Sequence, residues 1–439
     1  MSESSFLKHI RKFGGATAII EDGQSFSFNE LCDNVAKIKK EWESENIVLG
    51  SIVALKAEPT FQFFVNFIAV AESGAIIVPF AEEKLLQEIG LNVLVEYVLY
   101  ENTLIQNQSL PNNLSSVLNG KAGLILQTSG SSAKPKLILH QANFIFEKYL
   151  RLKQRFVTVL VYSLDHVSGL ETSLSVLSPG GTVICSASIK PKEVAELIQN
   201  HQADLLSCSP SFLRLLLYSG YFTDSYLGSL KKVNFGAERM PANLLSALTQ
   251  QLPNAQFSQA FGTTETSNIR TETQTGSEWF KPGKEYVDFR VTDGNLLLKK
   301  SASWLGYLTI ENGNLDLQPA PDWYSSGDLA DQNEDGFICI RSREHEYINV
   351  GGEKVHASEV ENLIFGIDNV ADVLVHKETN VLLGEIVVAK IFPKVYPKNE
   401  VIFKQKVREH CRQSLPEYKV PQKIILLKEP LLTKRLKRG

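Results

Sequence analysis

The chain lacks the signatures that would tie it to nucleic acid, a membrane or an oxidising compartment. Its 45 Lys and Arg are outnumbered by 49 Asp and Glu, for a net charge of -4, so it has no basic excess for bulk nucleic-acid binding. No apolar run approaches the ~20 residues that a membrane helix needs. The first residues, MSESSFLKHIRK, lack the apolar core of a secretory leader. The five cysteines (Cys32, Cys185, Cys208, Cys339, Cys411) lie far apart, and no pair has metal-ligand spacing. They read as reduced packing residues. The expectations are therefore a cytoplasmic chain with no membrane span and no nucleic-acid partner. One basic cluster stands at the C-terminal tip, Lys434, Arg435, Lys437 and Arg438. It reads as a solvated tail, a phosphate contact or both.

What is present is an ordinary globular composition, 43% hydrophobic and 21% charged. A length of 439 residues predicts two or more domains. Thr17 to Ile20 and Ser25 to Ser27 flank a turn signal, Glu21-Asp22-Gly23-Gln24. Glu30 to Trp42 has helical spacing, with Asn29 as its expected cap. Ile52 to Lys56 reads as a buried strand, Phe61 to Ser73 as an apolar helix, and Gly74 to Pro79 as another strand. This alternation predicts a parallel α/β layer. Near the C-terminus, Glu359 to Phe365 starts a helix. Val370 to His376 and Glu385 to Phe392 alternate like half-buried strands, and Val401 to Leu415 is amphipathic. The predicted architecture is a large multi-layer α/β domain over 1–342, then a small, mobile α+β domain over 343–439.

The stretch Thr128 to Lys136, TSGSSAKPK, follows the apolar run Gly123 to Leu126. Its hydroxyl side chains (Thr128, Ser129, Ser131, Ser132) surround Gly130, and Lys134 and Lys136 follow. Gly130 allows a turn where a Cβ would clash. Successive N–H groups in such a turn form an anion-binding concavity, and the lysines add charge. On residue content alone the stretch is either a solvated serine-rich loop or a polyphosphate cradle. A Walker A loop is excluded, because it needs Gly-Lys-Ser/Thr starting five residues after Gly130, where Pro135 stands.

The order TSGSSxKPK resembles the phosphate loop, TSGSTGxPKG, of the adenylate-forming superfamily: acyl-CoA synthetases, nonribosomal peptide synthetase adenylation domains and luciferases. Ser132 keeps the hydroxyl of the usual Thr, while Ala133 and Leu137 replace glycines. The run Gly74-Ala75-Ile76-Ile77-Val78-Pro79 resembles the family's early strand. The segment from Pro79 to Thr128 is shorter than in the family, which predicts a trimmed wall of the acyl pocket. Asn143, after His140, is expected to cap a helix. The segment Tyr162 to Gly181 resembles P-x-x-H-x-x-G…L-x-x-G-G, which implies that His166 sits near the carboxylate substrate; the alternative is a structural hydrogen-bond partner. The turn Phe235-Gly236-Ala237-Glu238 resembles one whose backbone lies against adenine and the acyl pocket. Gly236 would let the ligand come close.

Phe261-Gly262-Thr263-Thr264-Glu265 matches Tyr/Phe-Gly-x-Thr-Glu. An aromatic ring can stack on adenine, Thr264 can donate to a phosphoryl oxygen, and Glu265 can hold Mg²⁺, which prefers oxygen ligands. Trp323 to Asp328 matches W-x-x-T-G-D, and Asp328 can accept from both ribose hydroxyls. Arg341 to Glu361 resembles the family's hinge segment. It implies that Arg343 binds ribose and phosphate, for which its fixed fork of donors is suited. Ser342 replaces a Gly, and His345 falls at the hinge. Leu415 to Pro421 and Pro430 to Arg438 match L-P-x-y-K-x-P…P-x-T-x-x-G-K. This places the catalytic lysine at Lys437, with Lys434 as the alternative and Leu436 in place of a Gly.

The resemblance implies a ligase that uses ATP and Mg²⁺ to convert a carboxylic acid to an acyl-adenylate, releasing pyrophosphate and later AMP. The acceptor would be CoA, or else a carrier-protein phosphopantetheine or an amine. A non-catalytic nucleotide-binding or acyl-binding homologue is the rival from another class. The neighbourhoods of His166, Phe235 to Met240 and Phe261 to Thr266 suit an aryl or medium aliphatic acid. Asp165 and Glu238 keep amino acids open.

Overall fold

The computed structural model describes residues 4–429 apart from 46, 89, 101–102, 108, 110–113, 129–135, 275–276, 284–286, 312–313 and 344–346. Among the described residues, two large sheets build the N-terminal part. The seven-stranded sheet runs Gln256–Gln259, Lys232–Phe235, Leu205–Cys208, Val157–Leu160, Thr182–Cys185, Thr17–Glu21, Gln24–Ser27. Its neighbours are parallel except for the last pair. The eight-stranded sheet is mixed, with Gly123–Gln127, Ile76–Phe80, Ile52–Lys56 and Tyr97–Tyr100 parallel at its centre. The first two of these strands are buried at every residue, as strands covered on both faces must be.

One hydrophobic core joins these sheets. Ile19 and Val183 from the first meet Val53, Ile77 and Leu124 from the second, with the apolar helix Phe61–Glu72 between. That helix buries nine residues from Phe61 to Val70, each buried Phe, Val or Ile contributing roughly 1.5–3 kcal/mol. A six-stranded antiparallel sheet, including Trp323–Gln332 and Ile338–Arg343, follows with a small core of its own. The C-terminal part is a five-stranded sheet with helices Ala357–Phe365 and Glu400–Arg412, and its core draws only on residues from Ile348 onward. The expected α/β domain followed by a small α+β domain is what the chain folds into.

Several local expectations need correction. The second helix spans Phe28–Ser44 and is capped by Ser27, not Asn29. The Ser27 hydroxyl accepts from the Glu30 N–H, and the Glu30 carboxylate accepts from the Ser27 N–H, a reciprocal capping box. Asn143 lies inside the helix Ala142–Glu147, whose cap position is Gln141. Among the described residues none from 80 to 126 lines the main cleft. The five cysteines are buried and unbonded to one another. Among the described residues no helix is long and apolar enough to cross a membrane.

The two parts meet through specific contacts. Arg214, on helix Pro210–Tyr218, pairs with Asp372 on strand Val370–Asn380, and its guanidinium lies 4.7 Å from the centre of the Phe365 ring. The Ser342 hydroxyl is 3.0 Å from His356 Nδ1. The expected hinge residue, His345, lies outside the described residues.

Candidate active site

A cleft of about 1610 Å³ opens where the parallel strands of the seven-stranded sheet end, the position at which open α/β sheets bind ligands. One wall begins at the hairpin joining Gly123–Gln127 to Leu137–Gln141. Its loop is tied at both ends: Thr128 N–H donates to the Lys136 carbonyl at 2.9 Å, and Lys136 N–H to Thr128 Oγ1 at 3.3 Å. Thr128 and Lys136 line the cleft, and Lys136 Nζ lies 5.2 Å from the centre of the Tyr307 ring. Ser129, Gly130, Ser131 and Ser132 lie outside the described residues.

Phe261, Gly262, Thr263, Thr264 and Glu265 all reach the same cleft. The Phe261–Thr263 strand pairs with Ser267–Ile269. Gly262 is needed there, because a Cβ would sit 2.4 Å from the Ser267 carbonyl oxygen. Phe261 packs against Phe280 with ring centres 5.2 Å apart. The Thr263 hydroxyl engages the Tyr324 hydroxyl at 2.5 Å. Glu265 Oε1 accepts from the Tyr307 hydroxyl at 2.9 Å, and its carbonyl accepts from Ser301 Oγ at 3.0 Å. Burial, reinforced by Glu265, pushes the Tyr307 phenol up, so it stays a donor.

A buried histidine stands behind this turn. His140 Nε2 lies 2.8 Å from the Thr264 carbonyl and Nδ1 lies 3.1 Å from Ser303 Oγ. A carbonyl only accepts, so the proton is on Nε2. Burial pushes His140 down to about 4, leaving it a neutral bridge between the eight-stranded sheet and the Thr264–Glu265 turn.

Gly236 and Ala237 also line the cleft, just beyond the Lys232–Phe235 strand. Gly236 also has a packing reason: a Cβ there would stand 2.7 Å from the Ala260 carbonyl oxygen. Ala237 has φ +66°, a left-handed conformation uncommon outside glycine. Glu238 turns away, its carboxylate accepting from the N–H and hydroxyl of Ser211. Met240 is buried in a core cluster. His166, before helix Val167–Leu177, lines the cleft with Nε2 3.8 Å from Asp165 Oδ1. Asp165 itself is buried and held by Ser163 Oγ at 2.5 Å.

Asp328 and Arg343 face each other on adjacent strands, with Arg343 Nε 3.3 Å from Asp328 Oδ1. Arg343 and residues Ser325–Gly327 of the Trp323–Gln332 strand line the cleft; Asp328 sits behind, 6% exposed. Lys437 and its alternative Lys434 lie outside the described residues.

Sequence reasoning missed Tyr307, Tyr324, the Lys148–Glu171 pair and Lys377, all of which line the cleft. Lys148 Nζ is 3.1 Å from Glu171 Oε1, so this buried acid is already neutralised. Lys377 comes from the C-terminal sheet and pairs with Glu385 at 3.0 Å. Tyr324 and Glu171 fall at unspecified positions of matched segments, and no motif marks Tyr307, Lys148 or Lys377.

The fold and site therefore define a nucleotide-type cleft at the carboxyl edge of an α/β sheet, beside a small C-terminal domain. The family model for AMP-binding enzymes matches residues 83–285, and that for their C-terminal domain matches 359–437. The chain belongs to the adenylate-forming superfamily. The probable acyl-activating enzyme 9 of Arabidopsis thaliana is 23% identical over 338 residues, covering 69% of this chain and 61% of that protein. A 2-succinylbenzoate–CoA ligase of Listeria innocua is 22% identical over 458 residues, covering 96% of this chain and 94% of the ligase. The fold matches the crystal structure of the anthranilate–CoA ligase AuaEII in complex with anthranoyl-AMP, with a TM-score of 0.81 and 18% identity over 100% of this chain and 95% of that one.

Proposed function

We propose that the cleft activates a carboxylic acid with ATP and passes the acyl group to the thiol of CoA. The observation that carries this reading is convergence. The ends of the Thr128–Lys136 loop, the Thr264–Glu265 turn and Arg343 line one cavity, although they are far apart in the chain. In the first half-reaction a carboxylate oxygen attacks the α-phosphorus of ATP, the bond to the bridging oxygen breaks, and pyrophosphate leaves. In the second, the CoA sulfur, having given up its proton, attacks the acyl carbon and AMP leaves.

The substrate carboxylate is the nucleophile, so the protein's work is positioning and charge neutralisation. Lys136 and the loop hold the outer phosphates, and Thr264 contacts a phosphoryl oxygen. Phe261, Gly236 and Ala237 frame adenine; Asp328 and Arg343 hold the ribose. Glu265 fits Mg²⁺: it is a hard oxygen donor in the cleft, oriented by Tyr307. Mg²⁺ supplies neutralisation of phosphate charge there. Lys437 bridges carboxylate and α-phosphate, and the boundary near 343 lets the C-terminal domain turn between half-reactions. The cytosol suits its five unbonded thiols.

The test is pyrophosphate release across a panel of acids, with and without CoA. Release with one class of acid, and a new thioester when CoA is added, is the expected result. Adenylate formation that CoA leaves unchanged would move the acceptor to a carrier protein. Nucleotide binding without turnover of any acid would overturn the reading.

A further inference from the structure

The nucleotide leaves one end of the cleft without a task. Strands Leu205–Cys208, Lys232–Phe235 and Gln256–Gln259 run side by side, with Lys232 between Leu205 and Gln256, and Asn234 between Ser207 and Ser258. Side chains at i and i+2 share a strand face, so Lys232, Asn234 and Gly236 look into the same cavity, as their lining of it confirms. Gly236 belongs to the nucleotide end. Four residues of strand place Lys232 about 13 Å from it. Polar side chains stand in this cavity, Ser207, Asn234 and Ser258 on the sheet and Ser168, Thr172 and Ser175 on helix Val167–Leu177, beside apolar ones such as Leu152, Phe156 and Leu205. A long alkyl chain favours a mostly apolar lining, and this one is mixed.

Two cations stand at the far end. Lys232 is half-buried, and Arg270, exposed, lines the mouth of the same cavity just before the Thr271–Thr273 strand. That strand is fixed beside the sheet, where Thr273 Oγ1 accepts from the Gln259 N–H at 2.8 Å. Burial first, then the charge of Arg270, push the Lys232 ammonium down. Among the described residues neither cation has an ion-pair partner, and Glu272, which also lines the cavity, pairs with neither. The other cations of the cleft have partners: Lys148 meets Glu171, Arg343 meets Asp328, Lys377 meets Glu385, and the Lys136 ammonium lies over the Tyr307 ring. Two like charges converging on a cavity disfavour each other until an anion arrives.

We propose that Lys232 and Arg270 form an anion subsite for a distal carboxylate, so that the acid activated here is a dicarboxylic acid. The inference rests on the ligase reading for the reacting carboxylate and on the two cations for the distal one. It refines the expectation of an aryl or medium aliphatic acid by adding a second charge.

The experiment is ATP–pyrophosphate exchange by the full chain, comparing dicarboxylic acids of about four to ten carbons, a range set by the strand spacing, with their half-amides. The diacid is expected to exceed its half-amide by about tenfold or more in kcat/KM, the scale of one charge-assisted hydrogen bond. Lys232→Gln and Arg270→Gln should each lower kcat/KM for the diacid about tenfold, through KM, and leave the half-amide unchanged. A half-amide as good as its diacid, or variants that affect both alike, would overturn the subsite. If no acid supports exchange, the ligase reading fails separately. Calorimetric titration of glutarate and adipate then decides the subsite: binding lost in Lys232→Gln keeps it, and no binding removes it.

Discussion

Replacing Arg214 by Met removes one half of the ion pair that joins the two parts of the chain. The Arg214 side chain is 3% exposed and that of Asp372 11%, so the abandoned carboxylate stays largely out of water. Breaking a buried pair this way costs about 3–5 kcal/mol. Loss of the guanidinium from the Phe365 face adds about 0.5–2 kcal/mol, part of which the Met side chain restores. Desolvation already raises the Asp372 carboxyl, against the opposing pull of Arg214. Without Arg214 it rises further. The folded state then holds a proton that the unfolded chain releases, so stability should fall as pH increases above the unfolded carboxyl value. The assay is urea unfolding of wild type, Arg214→Met, Asp372→Asn and the double variant, at several pH values. The double variant should be more stable than Arg214→Met alone, with a coupling of about 2–3 kcal/mol. A loss below about 1 kcal/mol, or strictly additive effects, would refute the reasoning.

Glu265→Gln should lower Mg²⁺-dependent ATP–pyrophosphate exchange about a hundredfold, while Tyr307→Phe, which only frees the carboxylate, should cost about tenfold; equal losses would separate Tyr307 from Glu265. Lys437→Ala should cut adenylation about a hundredfold, the scale of one preorganised donor, with Lys434→Ala near wild type; the reverse pattern would move the catalytic lysine to 434. The buried His140 refuses a proton that the unfolded chain accepts, so stability should fall as pH drops from 6.5 towards about 4. The loss is of order 3 kcal/mol and should be flattened by His140→Asn; parallel urea midpoints for the two proteins across that range would rule it out.

Local signals were legible where a rule of short range decides the outcome. The strand Ile52–Lys56 and the helix Phe61–Glu72 follow from apolar spacing alone. The Ser27 cap was also readable, since Glu30 stands three residues on, but the polar Asn29 lies nearer to the first periodic residues. The site motifs marked the turns and not what steadies them. Tyr307 reaches Glu265 only because strand Trp304–Glu311 pairs with Leu137–Gln141, which carries Lys136 and His140 on either side. Arg214 and Asp372 lie 158 residues apart. Such partners are set by sheet order, which no periodicity in one segment encodes. Gly236 shows a constraint that no local pattern encodes: a Cβ there would also meet the Ala260 carbonyl, 24 residues on.

The departures from the family pattern bear on whether the cleft is still used for chemistry. A decaying binder would lose charged groups first, because nothing in the fold requires them. Here the substitutions that can be placed add packing or bonding away from the reacting groups. Leu137 opens the Leu137–Gln141 strand, is 4% exposed, and joins Ile125, Leu139 and Leu308 in a core. A glycine there would forfeit roughly 1.5–3 kcal/mol of burial and loosen the strand at the loop's edge. Leu137 instead anchors the point from which Lys136 projects, and the Thr128–Lys136 bond stays made. Ser342 is 6% exposed, and its hydroxyl reaches His356 across the junction between the two parts, a bond that glycine cannot make. Glu265, Asp328 and Arg343 meanwhile keep their partners. Isolated surface charges cost little to lose, whereas Asp328 is buried against its partner and Glu265 is held by a tyrosine. Desolvating such groups has a cost that their partners offset only in part, so their retention is what a cleft used for a charged ligand predicts.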